Sequence, residues 1–270
     1  MSIPRAQETQ IAHGSDRSFA TARSVSALIL REMATRYGRS PGGYAWAVLE
    51  PLGGIIVLGF GMSLLIRTPS LGTSFVLFFA TAFLLFAMYQ QLAGDIGRCI
   101  NFSRALLFYP AVTWVDAVVA RFVLAVLTHI VVMTLLFTGL LIFTDTRAQL
   151  ELGAITEAVM LTAFLGLGIG TLNCVLFGLF NVWMQIWSII NRPLFFISGT
   201  FFIYEDMPTT LQDILWWNPL LHLTGLMRRG FYSTYEASYV SIPYVCVVSG
   251  LCLFFGVVLL GRFHRIILNR

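Results

Sequence analysis

No lysine occurs in this chain; all 17 basic residues are arginine. A P-loop needs a lysine to reach the β- and γ-phosphates, and Schiff-base catalysis needs a lysine amine, so the chain supplies neither. Charge of either sign is scarce, at 11% of residues against about 25% in an average soluble domain. The four cysteines (Cys99, Cys174, Cys246, Cys252) show no CxxC spacing. Three lie in apolar runs, where cysteine packs as a small hydrophobe. The four histidines (His13, His129, His222, His264) form no HExxH or similar pair. No two carboxylates fall on one membrane face where acid/base work could proceed, and no serine has triad companions. These gaps argue against catalysis and against a cofactor or metal held by this chain. Residues 1–23 also lack the run of about 7–15 apolar residues that a cleaved signal peptide carries, so the N-terminus is expected to stay in the cytoplasm.

What is abundant is apolar: 57% of the 270 residues are hydrophobic and the mean hydropathy is +0.81. A soluble fold cannot hide this much apolar surface, which makes the chain an integral membrane protein. At about 20 residues per span, it reads as an all-α polytopic fold with six transmembrane helices near 47–66, 74–92, 114–143, 155–180, 184–204 and 243–262. Glu50-Pro51 suits the first turn of span 1. Residues 1–23 read as a cytoplasmic tail, 24–46 as an interface helix and turn, and 47–270 as the transmembrane domain. In the interface helix Val25, Ile29, Met33 and Tyr37 recur at i+4, with Arg31 and Thr35 opposite. A plain cytoplasmic helix is the alternative. Two apolar segments, 208–217 and 219–232, meet at Asn218-Pro219 and are too short to cross, so they read as a re-entrant hairpin. With the N-terminus inside, eleven arginines fall on the cytoplasmic side and four (Arg67, Arg147, Arg228, Arg229) outside, which puts both termini in the cytoplasm. The net charge of +4 is thus read as orientation, not as nucleic-acid binding.

Some features could carry function. In span 2, Phe75, Phe78, Phe79, Phe83, Phe86 and Tyr89 fall within about 140° of arc. They either pack and face lipid or form a wall along which sugar rings slide. In span 5, Trp187, Asn191, Ser198, Phe201 and Phe202 share a side, suited to a path lining or a subunit interface. Gly166 and Gly170 make a GxxxG pair, a packing feature first. Asp116 and Arg121 are costly near lipid and, pointing about 140° apart, need different partners.

Several segments resemble a known family. Residues 31–51, Arg-Glu-Met-Ala-Thr-Arg-Tyr-Gly-Arg-Ser-Pro-Gly-Gly-Tyr-Ala-Trp-Ala-Val-Leu-Glu-Pro, are similar to the opening segment of ABC-2-type polysaccharide exporter permeases. Asp116 with Ala120-Arg121, then Pro193, Phe196 and Ser198, then Asn218-Pro219-Leu-Leu-His222 with Arg228 resemble later segments, in order, over about residues 24–262. The likeness is greatest to the capsular polysaccharide export type. Gly225 stands where the resemblance leads one to expect Glu, and Pro41-Gly42 replaces a basic-apolar pair.

The resemblance implies the membrane subunit of an ATP-driven exporter in the bacterial inner membrane. It would work as a homodimer with two copies of a separate P-loop ATPase, on which ATP and Mg would sit. The cargo would be a lipid-linked acidic polysaccharide, handed on through a periplasm-spanning co-polymerase-type protein and an outer-membrane pore. On that basis Arg31, Arg36, Asp95, Arg98 and Arg104 are candidates for the ATPase interface. Trp46, Phe79, Phe83, Phe86, Tyr89, Arg121, Trp187, Asn191, Ser198 and Phe202 are candidates for the substrate path. Trp216, Trp217, Asn218, Pro219, His222 and Arg228 are candidates for an outer gate. For Arg98 and Arg104 plain membrane orientation is the other reading, and for Arg36 and Arg39 it is phospholipid contact. Export of O-antigen or teichoic acid by the same architecture, a membrane acyl- or glycosyltransferase, and a structural anchor are the alternatives.

Overall fold

Span 2 is the most buried of the long helices, and the fold is built round it. A computed structural model describes residues 20–36, 42–65, 69–109, 112–144 and 150–269. Tyr37, Arg39, Arg67, Pro110, Arg147, the first 19 residues and the side chain of Arg36 lie outside what it describes. All regular elements among the described residues are helical. In chain order they are α1 (Ala20–Arg36), α2 (Ala45–Gly54), a π-helical segment (Ile55–Phe60), α3 (Gly61–Leu65), α4 (Phe75–Gly97) and α5 (Cys99–Leu107). There follow α6 (Trp114–Phe143), α7 (Leu152–Leu179), α8 (Trp183–Ile197), a 3₁₀ turn (Tyr204–Asp206), α9 (Thr209–Leu215), α10 (Pro219–Phe231) and α11 (Ile242–Asn269).

α4 starts where Ser74 accepts a hydrogen bond from the Leu77 N–H, and it buries most of its length against α7, α6 and α10. α7 lies between α4 and α11. Glycines set both crossings: a Cβ on Gly166 or Gly170 would meet Leu92 and Ile96 of α4, while one on Gly168 would meet the backbone of α11 at Ser249. The GxxxG pair therefore packs α4, and the glycine between its two members packs α11. α6 opens with a capping box in which Thr113 and Asp116 bond each other's backbone N–H.

Among the described residues, five helices are long and apolar enough to cross a membrane: Ala45–Leu64, Phe75–Leu107, Trp114–Phe143, Leu152–Leu179 and Ile242–Asn269. The span expected at 184–204 is shorter. α8 has 15 residues, about 22 Å at 1.5 Å per residue against a hydrocarbon core of about 30 Å. It stops because Ser198 turns back onto the Leu194 carbonyl and Gly199 adopts φ +79°, which only glycine takes without strain.

Two further expectations need adjusting. The helix of span 1 begins at Ala45, after Gly42 and Gly43 at positive φ, so Pro51 lies inside α2 and not in its first turn. Having no N–H, Pro51 leaves the Ala47 carbonyl without its helical partner, and the π-helical turn follows one turn later. In α1 the buried positions are Leu28 and Glu32, while Met33 is exposed, so the docked face is turned from the 25/29/33 stripe. A carboxylate on the buried side is what periodicity of apolar residues cannot anticipate.

Candidate functional site: a groove and the segment above it

α4 presents Phe83, Phe86, Ala87, Gln90 and Gln91 along one stripe, at the i, i+3, i+4 spacing of a helix face. α2 contributes Trp46, Ala47, Glu50 and Pro51, α6 contributes Thr128, His129 and Val132, and α8 contributes Asn191, Arg192, Phe195 and Phe196. Together they line an open groove of about 930 Å³. One end is polar. There Asp95 accepts from Gln91 Nε2 at 3.4 Å and lies 3.9 Å from exposed Arg98. Toward the other end phenylalanines cluster, with Phe79 stacked on Phe83 at 5.2 Å, Phe195 edge-on to Phe86 at 5.2 Å, and Phe201 tilted to Phe79 at 5.5 Å and edge-on to Phe195 at 5.7 Å.

Polar groups on the walls are held in set orientations. Asn191 donates through Nδ2 to the Trp187 carbonyl at 3.0 Å, and its Oδ1, buried, has no hydrogen-bond partner. His129 donates through Nδ1 to the Ala125 carbonyl at 3.2 Å. Aromatic faces beside fixed amide and imidazole groups suit a ligand with apolar ring faces and hydroxyl edges, because flat rings hold without fixing a register.

Beyond the phenylalanines lies the α9–α10 segment. Asn218 caps α10, accepting from the Leu220 N–H at 3.1 Å, and donates through Nδ2 to the Ile197 carbonyl and to Ser198 Oγ at 3.1 and 3.2 Å. Pro219 holds the first helical position, where its missing N–H costs nothing. His222 donates through Nε2 to the Trp216 carbonyl at 2.7 Å and accepts at Nδ1 from the Ser241 N–H at 3.2 Å, with Trp216 and Tyr244 packed round it. Burial pushes the imidazole below its ordinary pKa. Arg228, 1% exposed, donates to the Phe202 carbonyl at 2.7 Å and stacks 3.9 Å over Phe78, and burial lowers its pKa to about 10. The space beside Gly225 is filled by Tyr239, whose hydroxyl donates to the Leu221 carbonyl at 3.2 Å.

The structure therefore sorts the residues singled out from sequence by place. Trp46, Phe83, Phe86, Asp95, Arg98 and Asn191 line the groove, and Phe79 stacks on Phe83 at its end. Tyr89 is buried in the core and Trp187 packs against it, while Ser198 and the Phe202 carbonyl bond to Asn218 and Arg228 of the α9–α10 segment. Trp216, Asn218, Pro219, His222 and Arg228 come together there, with Trp217 largely exposed. Arg121 is buried against Glu32, with Arg31 near by, and Arg104 is exposed on α5. Glu50, Gln90, Gln91, His129 and Phe195 belong to the groove but were missed. Gln90-Gln91 and Thr128-His129 interrupt apolar runs, and that interruption was the available signal.

Residues 23–232 match the ABC-2 type transporter family. The chain belongs to that family. This ABC-2 transporter chain is 27% identical over 248 residues to the capsule polysaccharide export inner-membrane protein BexB of Haemophilus influenzae, covering 90% of the chain and 92% of BexB. It is 28% identical over 239 residues to the polysialic acid transport protein KpsM of Escherichia coli, with 87% and 92% covered. It is 24% identical over 243 residues to the capsule polysaccharide export inner-membrane protein CtrC of Neisseria meningitidis serogroup B, with 90% and 92% covered. The ABC-2 chain is thus like these proteins along nearly their whole length.

Proposed function

We propose that the chain is the membrane subunit of an ATP-driven exporter of lipid-linked capsular polysaccharide, working as a homodimer with two copies of a separate P-loop ATPase. The observation that carries this reading is the groove of about 930 Å³, an aromatic and amide-lined trough in a chain whose relatives are capsule export proteins. Phe83, Phe86, Phe195 and Trp46 present ring faces, Asn191 presents a buried acceptor, and the Asp95–Arg98 end receives the polymer from the cytoplasm. A second copy facing the open side, where α2 and α8 expose Leu49, Ile189 and Ile190, closes the trough into a channel. The Phe79–Phe83–Phe195–Phe201 cluster shuts it at rest, and the hairpin of α9 and α10 forms the outer gate. Arg31, Arg98 and Arg104 face the ATPase. A periplasm-spanning protein and an outer-membrane pore take the polymer onward.

The test is gentle purification from the native host with quantitative mass spectrometry. A P-loop ATPase at about one copy per copy of this chain, its hydrolysis stimulated by lipid-linked polysaccharide, is the expected result. Recovery of the chain alone under several detergents overturns the reading in favour of an enzyme or an anchor.

A further inference from the structure

α1 is joined to the body of the chain chiefly through α6, and the join is ionic and dry. Arg121 Nε lies 2.6 Å from Glu32 Oε1, with the two side chains 8% and 3% exposed. The Arg121 guanidinium stacks 4.0 Å over the ring of Phe102 on α5, and Arg31 of α1 approaches the same ring at 6.0 Å. Phe102 keeps 42% of its surface exposed, on the same short helix as exposed Arg104. One ring therefore touches a buried ion pair while offering the rest of its surface outward.

Stability alone does not account for such a pair. Desolvating two charges largely offsets their attraction, and apolar residues of like volume often serve as well. Leu28, one turn away and buried, meets that need on the same face of α1. What an arginine–carboxylate contact adds is direction, because the planar guanidinium constrains angle and register, and its face stacks on an aromatic ring in addition. Arg121 is also seven residues before Thr128, so the two lie on one face of α6, about 10 Å apart along its axis. Thr128 and His129 belong to the α6 wall of the groove.

We propose that Glu32, Arg121 and Phe102 form a latch that makes α1, α5 and the start of α6 move as one body, carrying a push received at α5 to the groove wall. They are positioning residues for coupling, and the inference rests on reading the chain as an ATPase-driven exporter. ATPase surfaces that dock on α1 and α5 then act on a single lever.

The test uses the full complex with its ATPase, reconstituted in vesicles, and reads polymer exported per ATP hydrolysed. Glu32→Gln and Arg121→Lys, which keep volume or charge but lose the directed contact, lower that ratio about tenfold, while the Glu32→Arg/Arg121→Glu exchange restores most of it. Phe102→Leu, which leaves the buried charges in place, lowers it too, and so holds the idea open to test if a charge variant fails to fold. An unchanged ratio in Phe102→Leu and in any charge variant that assembles overturns the latch. So does export that falls only in proportion to assembled protein, the mark of a purely structural role. A wild-type chain that recovers no ATPase overturns the exporter reading, and the latch with it.

Discussion

At His222 the hydrogen bonds decide the protonation state. Nδ1 accepts from the Ser241 N–H while Nε2 donates to the Trp216 carbonyl, an arrangement open only to the neutral ring. Burial lowers the folded-state pKa, so the unfolded chain binds the extra proton first as pH falls. Stability contributed by this site is full above the unfolded histidine pKa of about 6.5 and drains away below it, through the lower folded value. Thermal unfolding of the purified protein should therefore show a midpoint that drops on acidification below about pH 6.5. His222→Gln should remove that part of the slope. An acid slope unchanged in the variant assigns it to other groups. Arg228 is a different case. Its charge is kept by the Phe202 carbonyl and the Phe78 face although burial brings its pKa down to about 10, so it stays ionised across the physiological range.

Helices pass one another in this fold where side chains are absent. A Cβ on Gly168 would lie 2.5 Å from the Ser249 carbonyl oxygen and 3.2 Å from the Leu253 nitrogen, backbone atoms that have no rotamer to move. A Cβ on Gly250, in the neighbouring helix, meets nothing within 4 Å. Gly168→Ala should cost about 1–3 kcal/mol through overpacking of the α7–α11 crossing, and Gly250→Ala should be neutral or slightly stabilising because alanine is the better helix former. Unfolding midpoints of the two variants, measured side by side in one detergent, test the pair. At this scale the sequence was read well where apolar runs were long: α6 occupies the expected 114–143, and the two short helices meet at Asn218-Pro219 as their composition implied. It was read less well where one residue ends or bends a helix. Gly199 stops α8 short and Gly42-Gly43 starts α2 early, because a single φ outweighs the hydropathy of the residues around it. The groove was half legible. Phe83, Phe86 and Asn191 stood out by type and spacing and Trp46 through the family resemblance, whereas Phe195 and Glu50 reach the same space only because α8 and α2 fold against α4.

On the scale of the whole chain, the distribution of burial separates a core from a rim. In α4 and α7 most of the apolar window is buried inside the chain, while in α6, α11 and the Ala45–Leu64 helix most of it is not. In a single soluble chain that exposed surface would drive association; in a bilayer it is covered by lipid or by a second copy. Arg98, Arg104, Arg262 and Arg265 collect at one end of the helices and Arg228 and Arg229 at the other, and an excess of arginine is expected on the cytoplasmic side. Cysteine placed at Arg104 should react with an impermeant maleimide only after the cytoplasmic side is opened. Cysteine at Thr209 or Thr210, exposed at the start of α9, should react in intact cells whose outer membrane has been permeabilised. Native Cys99 and Cys174 are buried and Cys246 and Cys252 half-buried, so a background lacking Cys246 and Cys252 gives a clean signal. The reverse pattern would invert the chain. It would place the Asp95–Arg98 end of the groove outside, facing away from any nucleotide-driven partner, and would turn the proposed direction of transport with it.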